Sequence, residues 1–442
     1  MLQIGTTGKT SLFSKVFVIG LLIVVAWVPT MFVLGLVNER SNRANDAVAE
    51  IATQWSREQT LSGPVLTIPV NVPVTNAAGE RTVKEEAIFL LPDTLNYDVS
   101  LDTQVLSRGI FDARVYNSVV QGSGTFSLDQ IDLSGITGTI EWDKASLSIG
   151  IPDTRGLDSG AVVTWNNSDT RFEPGVPTDL LGETGISAPV AVNRFASEHT
   201  FSFEIHLRGS EGINFAPLGK TTTVSVSSNW NSPNFTGEFL PKEREVTEDG
   251  FTANWAVSSF GRSLPQSWTG PLAFTDQTVQ ANIKNATFGV ELHEHVDFYT
   301  QVDRSVKYSI LFIALTFLAF FMFEVLSKLR IHPMNYLLVG LAIAIFYLLL
   351  LSFSENIGFL WAYVLSTAAV TTLITLYCRS VLQAKKRAGI IMVLLLALYT
   401  YLYVLLQLDE LSLIFGSIFL FAILSTVMYL TRNINWYELS DK

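Results

Sequence analysis

The sequence predicts an integral membrane protein with six transmembrane α-helices, one N-terminal and five clustered C-terminal, and a large antiparallel β-rich extracytoplasmic domain. Six apolar stretches each come close to the roughly 20 residues that cross the hydrocarbon of a bilayer. A polar segment, residues 38–307, separates the first stretch from the other five and alternates apolar and polar residues with period two, which is typical of strands. The basic residues of the short loops fall on one side of the predicted membrane.

The apolar stretches define the spans. The first runs from Val16 to Val37 without a charged residue. It is longer than the apolar core of a signal peptide and no clear A-x-A cleavage site follows it, which predicts an uncleaved signal anchor. The other five are Tyr308 to about Leu326, about Tyr336 to Phe353, about Ile357 to Tyr377, Gly389 to Leu408, and Leu411 to Leu430. Short loops join these five, so neighbouring helices are expected to be antiparallel and to form one bundle.

The loop charges predict the orientation of these spans. One set of loops and the C-terminal tail carry Lys328, Arg330, Arg379, Lys385, Lys386, Arg387, Arg432 and Lys442. The loops on the other side carry Glu355, Asp409 and Glu410 and neither lysine nor arginine. Positive charge stays inside, so both termini are expected in the cytoplasm and residues 38–307 outside it. The predicted segments are therefore 1–37, 38–307, 308–430 and the cytoplasmic tail 431–442.

The domain outside the bilayer is predicted to begin with a helix and continue as a β-sandwich. Ala44, Ala47, Val48, Ile51, Ala52 and Trp55 recur at helical spacing directly after the first span. From Ser62 onward, alternating runs such as residues 200–205 and 221–226 are punctuated by Gly, Pro, Asn and Asp. Glycine and proline cluster near residues 175–185, which leaves room for a division into two lobes.

The charge composition limits the kinds of molecule that the outer domain could bind. Residues 38–307 contain 19 Lys and Arg against 34 Asp and Glu, whereas the rest of the chain contains 10 against 6. Phosphate binding needs clustered basic residues, so nucleic acid is excluded as a partner of this acidic domain. Cys378 is the single cysteine and belongs to an apolar stretch. The domain is therefore expected to fold without disulfides, by burial of a core that about 270 residues can readily form.

Glu324 is the one acidic residue inside an apolar run, and ionisable groups in the membrane are functional candidates by default. The simpler interpretation, which we favour from sequence, is structural. Glu324 is near the cytoplasmic end of its span, and Lys328 follows at i+4 in the favourable order for a helical ion pair. The carboxylate could then reach the membrane surface.

Glu355, Asp409 and Glu410 mark the extracytoplasmic rim of the bundle. They could face Arg304 and Lys307 and so dock the β-rich domain on the helices. Solvation of these acidic residues is the simpler interpretation.

The known catalytic and metal-binding patterns are missing from the sequence. It has no G-x-S-x-G, P-loop, dinucleotide-binding glycine pattern or H-E-x-x-H. His332, in a cytoplasmic loop, and Ser352 are predicted at opposite membrane surfaces, which rules out a nucleophile–base pair between them. His293 and His295 have a spacing that can bind a metal, but no third ligand can be placed, and an exposed strand edge is simpler. We therefore predict no catalytic residue, no metal site and no cofactor.

Several motifs stand out along the chain. They are Arg304-Ser305-Val306-Lys307-Tyr308, Ile331-His332-Pro333, Phe346-Tyr347-Leu348-Leu349, Gly416-Ser417 and Trp436-Tyr437 in the membrane part, and Leu61-Ser62-Gly63-Pro64, Ser232-Pro233-Asn234-Phe235 and Gly250-Phe251-Thr252-Ala253 in the outer domain. Together they resemble the motifs of the CreD family of inner-membrane cell envelope integrity proteins. The resemblance covers nearly the whole chain. It implies a bacterial inner-membrane protein tied to envelope integrity, tolerance to certain colicins and a regulon that responds to cell-wall stress. It implies no catalytic residue.

Three functions remain in competition. In the first, the outer domain binds an envelope component without catalysis, and the bundle serves as an anchor or signal relay. The expected partners are membrane lipids and an unknown periplasmic protein, inner-membrane protein or cell-wall component. In the second, the bundle transports a substrate or handles lipids, with Glu324 inside it, although one ionisable group is few for a substrate pathway. An intramembrane enzyme ranks third, because no nucleophile–base pair can be placed.

Overall fold

The computed structural model describes residues 12–75, 81–158, 160–182, 184–271, 277–292, 298–327, 331–381, 385–408 and 411–432. The helices within these ranges are α1 Leu12–Trp55, α2 Gln277–Asn285, α3 Phe298–Lys307, α4 Ser309–Ser327, α5 Pro333–Ile357, α6 Phe359–Val381, α7 Lys385–Gln407 and α8 Ser412–Thr431. The strands are β1 Gln59–Thr75, β2 Arg81–Leu90, β3 Thr94–Arg108, β4 Phe111–Ser127, β5 Thr139–Ile140, β6 Ala145–Gly150, β7 Val162–Trp165, β8 Ser168–Arg171, β9 Glu173–Pro174, β10 Gly185–Val190, β11 Glu198–Ser210, β12 Gly212–Phe215, β13 Thr221–Ser228, β14 Pro233–Gly237, β15 Glu243–Thr247, β16 Gly250–Ser258, β17 Ser267–Pro271 and β18 Phe288–Leu292.

The chain forms two compact units. The helical unit comprises Met1–Ala44 and Val296–Lys442, and the β unit comprises Asn45–His295. The sequence predicts borders at residues 38 and 307, whereas the chain passes from one unit to the other at residues 44–45 and 295–296. Helix α3, which the sequence places in the outer domain, packs against α5 and α7.

Five of the described helices are individually long and apolar enough to cross a membrane, namely α1, α5, α6, α7 and α8. The predicted second span meets the same test only when α3 and α4 are taken together, and these two are bent by 45° at Tyr308. The prediction of six spans therefore overcounts the independent helices by one. The physical reason is that α4 is short and is preceded by the amphipathic helix α3. Six is therefore the upper count of spans.

Helix α1 is one continuous helix of 44 residues that runs through Pro29. The sequence predicts its two parts, an apolar anchor and an amphipathic helix, as separate elements. The last part of α1 belongs to the β unit, where Ile51 packs against Ala113 and Val115 of β4. Glu50 forms an ion pair of 2.6 Å with Arg108 of β3. The end of α1 is thus fixed to a β-hairpin.

A polar network around Asp153 holds the segment that follows α1. The Asp153 carboxylate accepts hydrogen bonds from Nε and Nη2 of Arg155 at 2.8 and 2.6 Å and from the backbone N–H of Arg57 at 3.1 Å. Gln59 Nε2 donates to the backbone oxygen of Asp153 at 3.0 Å. The bond from the Arg155 guanidinium lowers the pKa of Asp153 to about 2, although burial of the carboxylate opposes this shift.

The β unit consists of two sheets. The eight-stranded sheet has the order β15-β16-β13-β3-β4-β11-β7-β8, and the ten-stranded sheet has the order β14-β18-β12-β1-β6-β10-β9 with β2, β5 and β17 attached through β1 and β2. Pairing is antiparallel as predicted, except that β1 pairs with β12 and β3 with β13 in parallel. These exceptions join strands far apart in sequence, where side-chain alternation carries no information on direction. One hydrophobic core includes residues of both sheets and also Leu180, from the segment considered as a lobe border.

Two glycines of β4 make room for two aromatic rings in this core. Gly122 is paired with Phe203 of β11, and Gly124 with Phe201. A Cβ at either glycine would overlap the ring of its partner. Aromatic side chains that cover strand glycines in this way restore the packing that a glycine lacks and fix the strand register.

The two chain ends of the β unit meet at one end of the strands. The backbone N–H of Ser210, the last residue of β11, donates to the oxygen of Arg57, and that of Leu292 donates to the oxygen of Glu211. The first residue of β11, Glu198, is at the opposite end, about 40 Å away for a strand of this length. We call this opposite end the distal end of the β unit.

Candidate functional site

Glu324 is buried and paired in the helical unit. It lies on α4 and is 7% exposed. Its Oε1 is 2.9 Å from Nζ of Lys15 on α1, and its Oε2 accepts a hydrogen bond of 3.3 Å from the Tyr336 hydroxyl on α5. Lys328, the partner expected from sequence, lies outside the described residues. The partner in the structure comes from the other end of the chain.

A cavity of about 170 Å³ adjoins this ion pair. Its lining is Ser14, Lys15, Val18, Ile19, Leu22, Glu324, Ile331, Pro333 and Tyr336. Most of this wall is apolar, and the two opposite charges neutralise each other, so the site exerts little attraction on a charged ligand. The arrangement is suited to holding α1, α4 and α5 together.

Glu355 also contacts residues other than Arg304 and Lys307, the two considered from sequence. Its side chain is 10% exposed, lies 3.7 Å from Nε of Arg40 and accepts a hydrogen bond of 3.1 Å from the Tyr299 hydroxyl. Arg304 instead donates to the backbone oxygen of Leu408 at 3.2 Å, and Lys307 forms an ion pair with Asp303 on its own helix at 2.6 Å. All of these residues belong to the helical unit.

His332 has a structural role at the start of α5. Its Nδ1 accepts a hydrogen bond of 3.2 Å from the backbone N–H of Met334, and it is the N-cap of α5, with Pro333 as the first helical residue. Asp409 and Glu410 lie outside the described residues.

His293 and His295, considered above for metal binding, lie outside the described residues too. Within the described ranges, no group of three or more His, Cys, Asp and Glu side chains is arranged to hold a metal ion.

The β unit contains a broad recess of about 630 Å³ on the outward face of the eight-stranded sheet. Its polar side chains bond to one another. Glu204 accepts a hydrogen bond of 2.9 Å from Gln121 and lies 3.4 Å from Nε2 of His206, and Thr223 donates to Asn96 at 2.6 Å. Side chains already paired in this way have little capacity left for a ligand.

The loop at residues 191–197 lies at the distal end and rests on two buried side chains. Trp165 donates from Nε1 to the oxygen of Ala191 at 2.9 Å. His199 stacks on Trp165, with ring centroids 5.3 Å apart, and its Nε2 lies 3.3 Å from the oxygen of Asn193. The loop is therefore held in place by buried side chains that belong to β7 and β11.

The hydrogen bonds of His199 assign its tautomer. Asn166 Oδ1 accepts from the N–H of Thr200 at 2.9 Å, which turns Asn166 Nδ2 toward His199 Nδ1 at 2.6 Å. Nδ1 must then accept, and Nε2 carries the proton that is donated to Asn193. Burial lowers the pKa of His199 and so favours this neutral form.

The loop presents an exposed arginine–aromatic pair. Phe195 is 83% exposed, and the guanidinium of Arg194 lies 4.6 Å from the centre of its ring. A cavity of about 490 Å³ adjoins the pair and is also lined by Trp142 and Asp143. A stacked guanidinium presents its donors in a fixed plane, which suits a carboxylate or phosphate, and Phe195 and Trp142 add apolar surface. Asp143 can accept hydrogen bonds at the same cavity.

This site could not be predicted from the sequence. An Arg-Phe dipeptide in a loop has no periodic signal. Its rigidity depends on Trp165 and His199, which reach the loop only through strand pairing.

The comparisons with known proteins agree over nearly the whole chain. The family described as inner membrane protein CreD matches residues 11–437. Inner membrane protein CreD of Escherichia coli (strain K12) is 31% identical over 437 residues, which are 98% of this chain and 95% of that protein. Among solved structures, native yeast LTA4 hydrolase aligns at 10% identity over 52% of this chain and 35% of its own, with a TM-score of 0.20 that supports no statement about the fold. The chain therefore belongs to the CreD family of multi-pass inner membrane proteins.

Proposed function

We propose that this protein is a non-enzymatic envelope-integrity protein whose β unit lies on the periplasmic side and binds an envelope component through Arg194 and Phe195. The helical unit serves as anchor or signal relay. The single observation that carries the proposal is the exposed Arg194–Phe195 pair on a loop fixed by buried hydrogen bonds. An exposed aromatic ring loses little conformational freedom on binding when its loop is already rigid, and arginine and aromatic residues dominate binding hot spots.

The position of the pair supports a role in recognition. The chain enters and leaves the β unit at the end opposite to Phe195. The distal end is therefore remote from Arg57 and Leu292, the described residues near the two ends of the β unit. Phe260, which is 100% exposed, follows β16 at this same distal end and adds apolar surface.

The periplasmic placement of the β unit is supported by the loop charges. The loops around residues 328–330 and 379–387 are basic, and the opposite loops are acidic. In a Cys378→Ser background, Phe195→Cys should react with a membrane-impermeant maleimide in intact cells. Lys386→Cys should react only after permeabilisation. The reverse pattern would overturn the orientation.

A role of α1 in relaying a signal is supported by its side chains. Lys15 and Arg40 form ion pairs in the helical unit, and Glu50 and Ile51 contact the hairpin of β3 and β4 in the β unit. One continuous helix therefore contributes to the packing of both units.

The binding proposal is tested by photo-crosslinking in living cells. A benzoyl-phenylalanine at position 195 should capture a specific envelope component, and Arg194→Ala should reduce that product. Val83 is the matched control, because it is 63% exposed and lies on β2. Identical products at positions 195 and 83, or full envelope-stress tolerance in an Arg194→Ala and Phe195→Ser double variant present at normal levels, would contradict the proposal.

Transport or lipid handling by the bundle is the second candidate. One observation favours it. Helices α5, α6 and α7 bury hydroxyl groups that have no partner among the described residues, including those of Tyr347 and Thr371. Loss of envelope-stress tolerance in Glu324→Gln at normal protein level, together with full tolerance in the Arg194 and Phe195 double variant, would favour this candidate over the first.

A further inference from the structure

Six buried hydroxyl groups in three consecutive membrane helices have no hydrogen-bond partner within the described residues. They belong to Tyr347 on α5, to Ser366, Thr367, Thr371 and Thr375 on α6, and to Tyr399 on α7. A buried polar group without a partner costs about 1–3 kcal/mol, and native proteins contain few of them. Hydrocarbon cannot supply the missing bond. Six such groups on three consecutive helices point to a ligand that can donate and accept hydrogen bonds.

The hydroxyls on α6 are aligned along the helix. Thr367, Thr371 and Thr375 follow Tyr363 at intervals of four residues, so that all four share one face. The span from 363 to 375 is about 18 Å long, more than half of the roughly 30 Å hydrocarbon thickness. At the Tyr363 end, its hydroxyl donates to the backbone oxygen of Tyr399 at 2.6 Å and joins α6 to α7.

Two other hydroxyls of the helical unit bond to their own helix. Ser354 on α5 donates to the oxygen of Leu350 at 2.6 Å, and Thr426 on α8 donates to the oxygen of Ala422 at 2.8 Å. This bond to the carbonyl four residues earlier is the usual way for serine and threonine to satisfy themselves in a helix. The four α6 hydroxyls do not form it, and they remain available to another partner.

We propose that the buried face of α6, where it packs against α5 and α7, binds a track of ordered water. The ligand must be neutral, because the stretch from Tyr363 to Thr375 contains no charged residue that could offset the dehydration of an ion. Water both donates and accepts, so one molecule can satisfy two or three of these hydroxyls. The hydroxyls that hold it belong to α5, α6 and α7, whereas the Lys15–Glu324 pair joins α1 to α4.

Hydroxyl-radical footprinting of the full chain in nanodiscs tests this proposal. Radicals generated from bound water modify the side chains that contact it, even in buried positions. Tyr347 and Tyr399 should be modified several-fold more than Tyr116. Tyr116 is the control because it is equally buried, and its hydroxyl donates to the oxygen of Gly212 at 2.9 Å. Modification of Tyr347 and Tyr399 no greater than that of Tyr116 would overturn the proposal, and this comparison needs no variant.

A near-isosteric variant identifies the groups that hold the water. Thr367→Val, Thr371→Val and Thr375→Val combined should reduce the modification of Tyr347 and Tyr399 to the level of Tyr116. Thr426→Val, which removes a hydroxyl already bonded to its own helix, should leave it unchanged. Undiminished modification in the triple variant would contradict the proposal. If the triple variant is not monodisperse, Thr371→Val alone takes its place and should lower the modification of both tyrosines.

Discussion

Nζ of Lys15 lies 2.9 Å from Oε1 of Glu324, although 309 positions separate the two residues along the chain. The pair joins α1, at the start of the sequence, to α4 of the C-terminal helices. Tyr336 on α5 donates to the second oxygen of the same carboxylate. A single buried acid thus connects three helices of the helical unit.

Glu324→Gln should destabilise the helical unit by about 1–2 kcal/mol. This is less than the roughly 3–5 kcal/mol expected when a fully buried pair is broken, because the Lys15 side chain is 37% exposed and partly solvated. Lys15→Met should cost a similar amount, and the double variant should cost less than the sum of the two. Thermal unfolding of the full chain followed by circular dichroism measures these differences. Additive effects would contradict direct coupling between the two residues.

Asp303→Asn is the matched control for that experiment. It breaks the pair with Lys307, whose side chain is 61% exposed, on the surface of α3. An exposed i,i+4 pair contributes about 0.3–0.5 kcal/mol. If Asp303→Asn lowered the stability as much as Glu324→Gln, burial of the ion pair would not explain the cost of Glu324→Gln.

The Asp153 carboxylate should stabilise the β unit above about pH 4. Its pKa is about 2 in the folded chain, against 3.8 for the free side chain. A lowered pKa means that the stabilisation is complete above the unfolded value and is lost as the pH falls from about 4 toward 2. Asp153→Asn should therefore cost about 1–2 kcal/mol at pH 7, a figure reduced for the exposed Arg155 partner, and close to nothing at pH 2. Chemical unfolding at both values measures the difference, and an equal cost at the two would refute the prediction.

Protonation of His199 should loosen the loop at residues 191–197. Burial lowers its pKa in the folded chain below the usual 6.5, so its contribution to stability is present above pH 6.5 and is lost as the pH falls through the folded pKa. The imidazolium would direct an Nδ1 proton at the amide of Asn166. Hydrogen exchange, corrected for intrinsic rates, should show reduced protection of the Val192 and Ala196 amides at pH 5. His199→Asn should abolish this pH dependence, and its persistence in the variant would assign the effect to another group.

Gly122→Ala should destabilise the β unit by about 1–3 kcal/mol, because the added methyl group overlaps the ring of Phe203 and overpacks the core. Gly135→Ala is the control, since a Cβ there meets open space. Phe203→Leu should partly rescue Gly122→Ala. Denaturant unfolding of the four variants gives the coupling energy, and equal costs at positions 122 and 135 would refute the packing argument.

Local sequence patterns predicted which segments form helices and which form strands. They did not predict which of these segments pair with one another. The apolar stretches at residues 336–353 and 389–408 lie within α5 and α7, because hydrophobic length is a property of a single segment. The alternation at 200–205 lies within β11 for the same reason. The parallel pairing of β3 with β13 has no such local signature, since both directions place the same residues on the same face.

The candidate sites show the same division. Glu324 was recognisable from sequence as an acid in an apolar run, but the choice of Lys15 as its partner depends on how α1 packs against α4. Glu355 was recognisable as a helix-end acid, and solvation was the favoured interpretation, whereas it lies 3.7 Å from Nε of Arg40. The loop of Arg194 and Phe195 had no recognisable signal.

The sequence by itself determined the membrane class of this protein, its β-rich insertion and its family, because hydrophobic length, side-chain alternation and motif order are all encoded within contiguous residues. Only the tertiary structure decided which charges are paired, which loop presents an exposed aromatic ring, and which hydroxyls on α6 are buried without a partner among the described residues. These properties arise from contacts between segments far apart in sequence. Their free energies depend on burial and geometry, which no single segment specifies.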